Sequence, residues 1–240
     1  MRERNTGRAA AAVVLASGSG VRVGGQRNKV YLPLLGRPVV AWSLRVFAGL
    51  PDVGPLVLVV RPQDQDLAEQ VLAGELPGRA VDIVHGGVQR QDSELMALRH
   101  LAPRIEAGQI GTVLMHDAAR PLVTPDLVTA VLAAAGEPGG AVPGLPRGGV
   151  AMASPDGAVA EADLGTMMAM QTPQGFPART LLAAYERAAA DGFYGTDTAA
   201  CVARHTCIPV RCIPGDSRNI KITYPHDLAV AARLAGGAAR

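Results

Sequence analysis

The stretch AAVVLASGSGVRVGGQRNK (residues 11–29) decides how the rest of the chain is read. Ala11 to Ala16 are small or branched apolar residues, the composition and length of a strand buried on both faces. The run stops at Ser17-Gly18-Ser19-Gly20, where glycines let the backbone bend sharply and approach a ligand with no Cβ in the way. Arg22 and Lys29 follow. Ligands of open α/β sheets bind outside the carboxyl ends of the strands, so a glycine loop at this point is a candidate phosphate cradle. A Walker A loop is excluded, because Lys29 stands between Asn28 and Val30 and the G-x-x-x-x-G-K-[ST] pattern is absent. A dinucleotide fingerprint fits poorly, since Val23 occupies its last small position and the nearest acid, Asp52, lies too far along to hold a ribose. The third type is the nucleotidyltransferase loop, glycines followed by an arginine and then a lysine. Attack on the α-phosphorus of a nucleoside triphosphate builds negative charge on a crowded phosphorus and on departing pyrophosphate, which a guanidinium fork and a compact ammonium neutralise. The loop alone leaves open an ordinary turn with two solvated cations.

Outward from this strand, apolar runs alternate with helical patterns. The spacing predicts helices over 38–50, 64–76, 91–102 and 125–136, and strands over 55–60, 81–86, from Thr112 to Asp117, and 140–143. That alternation means right-handed βαβ units. The fold expected is α/β: a single Rossmann-like domain with a mostly parallel central sheet flanked by helices. The rhythm breaks over about 144–170, where turn residues and short alternating stretches predict a protruding β-arm. QTPQGF (171–176) reads as a turn; helices follow over 178–190 and 197–205, strands over 208–213 and 219–223, and a closing helix over 225–235. Residues 1–10 are expected to form a flexible basic lead rather than a signal peptide, and 11–240 the nucleotidyltransferase domain with its arm at about 144–170.

Composition narrows the function. The chain has 240 residues, a formal net charge of +2 and 3% aromatics, which argues against nucleic acid as a partner. Its apolar runs fall short of a membrane span. Cys201, Cys207 and Cys212 lack C-x-x-C spacing and read as reduced thiols, consistent with a cytoplasmic protein.

Further candidates lie downstream. HGGVQRQDS (85–93) puts Gly87 at a strand end and Ser93 at a helix start, a turn that suits a flat base, or an ordinary connection. MHDAARP (115–121) puts Asp117 and Arg120 at the end of a central strand: a carboxylate suited to Mg²⁺ beside triphosphate oxygens and a guanidinium for an anionic co-substrate, or a structural ion pair. His116 reads as a packed strand-end residue. Lys221, inside Ile-Lys-Ile, faces opposite to both isoleucines, toward solvent or toward a polar site.

LASGSGVRVGGQRNKVYL, GGVQRQDS, HDAARP, QTPQGF and the NIKIT.P.DL pattern of 219–228, in this order, resemble the 2-C-methyl-D-erythritol 4-phosphate cytidylyltransferases over about residues 11–235. The resemblance implies a cytoplasmic, Mg²⁺-dependent homodimer, joined through the arm, that transfers the cytidylyl group of CTP to methylerythritol phosphate in the non-mevalonate route to isoprenoids. It implies that Arg22, Lys29 and Lys221 are catalytic. Leu15, Ala16, Ser17, Gly18, Gly87, Ser93 and Ala118 would bind nucleotide; Asp117, Arg120 and Thr196 the acceptor; Asp117 also the metal. Leu15 departs from the proline usual in the family. On the arm, Gly149, Val150, Ala151 and Met152 replace its Asp-Thr-(Ile/Met)-Lys, Leu164 stands where an arginine holds the acceptor phosphate across the dimer, and TDTAA (196–200) varies its Thr-Asp-(Asp/Glu)-Ala-Ser. Arg147, near the changed positions, is a candidate substitute. Two other readings follow from these acceptor-side departures: a cytidylyltransferase for a different polyol or sugar phosphate, and a CTP-binding dimer without catalysis. A dehydrogenase is disfavoured by Arg22 and the missing ribose acid.

Overall fold

The computed structural model describes residues 9–18, 28–136, 139–148, 152–153, 159–160 and 167–237. Arg22, Gly149, Val150, Leu164 and most of the expected N-terminal lead lie outside them. β1 (Ala9–Leu15) begins two residues before the expected start and leads through a short antiparallel pair, β2 (Pro33–Leu34) and β3 (Arg37–Pro38), into α1 (Val39–Ala48). Then come β4 (Val53–Val60), α2 (Gln65–Glu75), β5 (Asp82–His85), α3 (Arg90–Glu106), β6 (Ile110–Asp117), α4 (Pro125–Ala134) and β7 (Gly140–Pro146). A small antiparallel hairpin, β8 (Met152–Ala153) and β9 (Val159–Ala160), forms a sheet of its own. The chain then returns through β10 (Met168–Met170) and β11 (Gln174–Pro177) to α5 (Ala178–Asp191), α6 (Thr198–His205), β12 (Val210–Pro214) and α7 (Pro225–Gly236).

Among the described residues, eight strands make the main sheet. β1 runs parallel to both β4 and β6, and β4 parallel to β5. β11 is antiparallel to β6 and β7, β10 is antiparallel to β7, and β12 runs parallel to β7. The alternation of β1 explains why the sheet is covered on both sides. Ala12, Val14 and Ala16 enter one core with Leu44 and Phe47 of α1 and Val128 and Val131 of α4. Ala11, Val13 and Leu15 enter the other, with Leu98 and Leu101 of α3 and Leu181 and Tyr185 of α5.

Four expectations need correction. QTPQGF is more than a turn: Gln174–Pro177 is a strand, buried throughout and wedged against β6. Residues 219–223 form no strand; they are held through Ile222, whose N–H donates to Ala119 O at 2.8 Å. α3 continues through Pro103 to Glu106, because burying Leu101 and Ile105 outweighs the one helical hydrogen bond that proline removes. Residues 144–146 and 168–170, assigned to the arm, pair with each other as part of the main sheet.

Candidate active site

Strand register assembles the site. Leu15 lies opposite Asp117 on one side and Val59 on the other, and Val60 lies opposite His85. The chain therefore leaves four neighbouring parallel strands at one level. These strand ends and their loops enclose a cavity of about 690 Å³, lined by residues 15–18 at the end of β1, Lys29, Arg61 after β4, Gly86 to Arg90 after β5, Asp117 at the end of β6, and Lys221. Asp117 is the one carboxylate on this lining among the described residues.

Cations surround Asp117. Lys221 Nζ donates to Asp117 Oδ2 at 2.6 Å, and Arg90 Nη2 and Nε lie 3.3 Å from Oδ1. Burial pushes the Asp117 pKa up, but Arg90, Lys221 and Arg120 outweigh it and hold the carboxyl well below the usual carboxylate range. Arg90 is itself held from below: Nη1 reaches Glu94 Oε1 at 2.9 Å, one helical turn along α3. Glu94 is 1% exposed and also accepts from Tyr185 Oη and Thr198 Oγ1, each at 2.7 Å. A cation in the first turn of a helix opposes the helix dipole, so Arg90 depends on these two carboxylates.

The backbone under Asp117 is fixed by a directional chain. Arg120 O can only accept, so His116 Nε2 donates to it (3.1 Å) and Nδ1 accepts from the Thr172 hydroxyl (3.1 Å). Thr172 Oγ1 in turn accepts from the Asp117 N–H at 3.1 Å. Burial pushes the His116 pKa down to about 4, so the ring is neutral and the chain keeps one sense. Lys221 is fixed just as firmly. Asn219 Nδ2 donates to Thr172 O at 2.8 Å, and Arg120 Nη1 donates to Asn219 O at 2.7 Å.

A glycine turn beside one carboxylate and several fixed cations is the arrangement that nucleotidyl transfer needs. Residues 10–235 match the family described as 2-C-methyl-D-erythritol 4-phosphate cytidylyltransferase. The chain belongs to this family. The similarly described protein of Symbiobacterium thermophilum is 40% identical over 92% of this chain and 91% of its own, and that of Solibacter usitatus 36% identical over 92% and 93%. The crystal structure of the Thermus thermophilus cytidylyltransferase is 30% identical, with a TM-score of 0.71 over 95% of this chain and 99% of its own. The 4-diphosphocytidyl-2C-methyl-D-erythritol synthase of Anaerococcus prevotii superposes at a TM-score of 0.81, covering 95% of this chain and 96% of its own, and supports the fold.

In this cytidylyltransferase the cavity gathers Leu15, Ala16, Ser17, Gly18, Lys29, Gly87, Ser93, Asp117 and Lys221. Three other expected residues stand apart. Ala118 is fully buried in the core, its N–H on Leu15 O, and Ala119 faces the cavity instead. Arg120 does not line the cavity: its fork reaches Asn219 O and Met170 O, so within the chain it is a latch on the segment carrying Lys221. Thr196 is exposed in the turn before α6, away from this lining.

Ser93 also differs from expectation. Its hydroxyl donates to Gln89 O (3.1 Å) and accepts from Gly87 N–H (3.2 Å) and Ser17 Oγ (2.9 Å), which exhausts its bonding capacity. It therefore shapes the turn, tying the loops after β1 and β5 together. Gly86 fits there for want of a side chain: an added Cβ would lie 2.6 Å from Ser93 Oγ and 2.7 Å from Ser17 Cβ. Arg90, Arg61 and Asn28 are the residues that sequence reasoning missed. Arg90 had a signal, a cation one turn before a glutamate in a motif already singled out.

Cys201 is buried, which pushes its thiol up to about 12, and Cys207 and Cys212 are exposed free thiols. No described helix is long and apolar enough to cross a membrane.

Proposed function

We propose that this cavity is where the cytidylyl group of CTP passes to 2-C-methyl-D-erythritol 4-phosphate, releasing pyrophosphate. The observation that carries the reading is the convergence of Lys29, Lys221 and Arg90 with Asp117 on one glycine-lined hollow at the strand ends. The base lies against the backbone of Gly86 and Gly87, a turn that Ser93 holds open and where glycine keeps the surface flat. The triphosphate follows residues 15–18 toward Lys29, with Arg22 completing the cation pair from the same loop. Lys221 sits beside Asp117 and receives the acceptor phosphate, whose oxygen is already nucleophilic and needs no general base. In-line attack then breaks the bond to pyrophosphate, and the fixed cations hold the charge that develops. They are in place beforehand, so little reorganisation accompanies the reaction.

The donor set fits Mg²⁺, which takes one or two carboxylates and completes its shell with phosphate oxygens and water. Asp117 is ionised, lines the cavity and would hold the ion through a carboxylate oxygen now facing Arg90 or Lys221. When bound, the ion would supply positive charge that offsets the charge of the triphosphate.

Homodimerisation through the arm and a cytoplasmic location belong to the same reading. Thr196 and Arg120 would then meet the acceptor from outside the nucleotide cavity, or serve only their own segments. The replacements at Gly149, Val150, Met152 and Leu164 favour a second reading with the same chemistry, an acceptor other than methylerythritol phosphate. Pyrophosphate release on mixing the protein with CTP, Mg²⁺ and methylerythritol phosphate tests the first reading, and silence from folded protein rejects that acceptor. A screen of polyol phosphates tests the second, and Leu164→Arg reports whether the missing arginine limits turnover.

A further inference from the structure

Residues 16, 28, 61 and 64, from three separate parts of the chain, meet in a polar clasp beside the glycine loop. Asp64 is 4% exposed, yet its carboxylate is fully engaged. Arg61 forks onto it, with Nε 2.6 Å from Oδ2 and Nη2 2.8 Å from Oδ1. Asn28, 1% exposed, donates from Nδ2 both to Asp64 Oδ2 at 3.1 Å and to Ala16 O at 2.7 Å. Asn28 thus joins the outgoing end of the glycine loop to its incoming end, and Lys29 is the next residue. Arg61 forms the other end of the clasp and lines the cavity together with Lys29.

A buried carboxylate held only for its charge needs any cation; a planar guanidinium forked onto it gains a fixed orientation. Two of Arg61's nitrogens are occupied by Asp64, and Nη1 makes no hydrogen bond among the described residues. The arginine therefore stands at the wall of an anion site with its direction set and both N–H groups of Nη1 left over. The clasp joins Arg61 through Asp64 to Asn28, the neighbour of Lys29, so both cations line the same cavity from tethered positions.

We propose that Arg61 is a further nucleotide ligand, donating from Nη1 to the terminal phosphates of CTP, with Asp64 and Asn28 positioning Arg61 and Lys29 as one unit. This rests on the reading of the cavity as a CTP site. The experiment is calorimetric titration of CTP and of CMP, which lacks the terminal phosphates, into wild type, Arg61→Gln and the double variant Arg61→Gln/Asp64→Asn. The double variant removes the stranded buried carboxylate, so any loss caused only by its unpaired charge is restored there. The expected result is CTP affinity about tenfold weaker in both variants, as for a lost charge-assisted hydrogen bond, with CMP affinity unchanged. Equal weakening of CTP and CMP, no weakening of either, or recovery of CTP affinity in the double variant overturns the assignment of Arg61. A folded wild type that binds neither nucleotide overturns the CTP site itself.

Discussion

Lowering the pH should unseat Asp117 through its neighbour His116. The ring is buried beneath the cavity, donates to Arg120 O and accepts from Thr172, and its pKa is pushed down to about 4 by burial, against an ordinary 6.5. A histidine whose folded pKa lies below its unfolded one stabilises the protein fully above the unfolded value, and that contribution disappears as pH falls through the folded value. At about 1.4 kcal/mol per pKa unit, the linkage amounts to about 3 kcal/mol in all, of which roughly 2.5 kcal/mol is lost between about pH 7.5 and about pH 4.5. Urea denaturation at the two pH values measures it, in wild type and in His116→Gln, whose amide keeps a donor for Arg120 O but does not titrate. The variant should start less stable and lose roughly 2.5 kcal/mol less on acidification. Parallel losses in the two proteins would refute a neutral His116, and with it the one-way hydrogen-bond chain that fixes the Asp117 backbone.

Lys221→Met and Lys29→Met should each lower kcat for pyrophosphate release by about 10²–10³, the usual cost of removing one preorganised charge donor; a change below about fivefold would place that lysine outside the transition state. Arg90→Met should destabilise the fold by about 3–5 kcal/mol, because Glu94 remains buried without its cation; thermal or urea unfolding reads this, and adding Glu94→Gln should recover more than half. Gly86→Ala should push Ser17 and Ser93 apart and raise KM for CTP, with unfolding changed by about 1–3 kcal/mol; an unchanged KM would remove this turn from the nucleotide site.

Much of the fold was legible because burial wrote itself into composition. Val57 to Val60 and Val13 to Leu15 are apolar on both faces, as only strands covered on both sides can be. β11 escaped notice because its four residues include a glycine and a proline; neighbours, not propensity, make it a strand. Lys221 was found by alternation even though no ladder forms, since Ile222 is buried and Lys221 is turned to the cavity without strand pairing. Residues that bear charge beside glycines could be picked out, as with Lys29 and Asp117. Residues whose work is to hold others could not: Asn28 and Thr172 look like ordinary polar positions until residues 64 and 116 arrive beside them. Arg120 and Ser93 stand in conspicuous motifs, yet their polar atoms turn inward to backbone and hydroxyl partners.

The contact between Asp117 and Lys221 joins positions 104 residues apart, and the loop bearing the lysine is sewn down by Thr172 and Ala119. During synthesis the glycine turn and the aspartate emerge from the ribosome long before their ammonium partner. A growing or prematurely terminated chain therefore lacks the ammonium beside Asp117, which is the group proposed to receive the second substrate. Competence is conferred by the last quarter of the polypeptide, so fragments ending ahead of Ile222 would be inert, with no separate inhibitor needed to keep them silent.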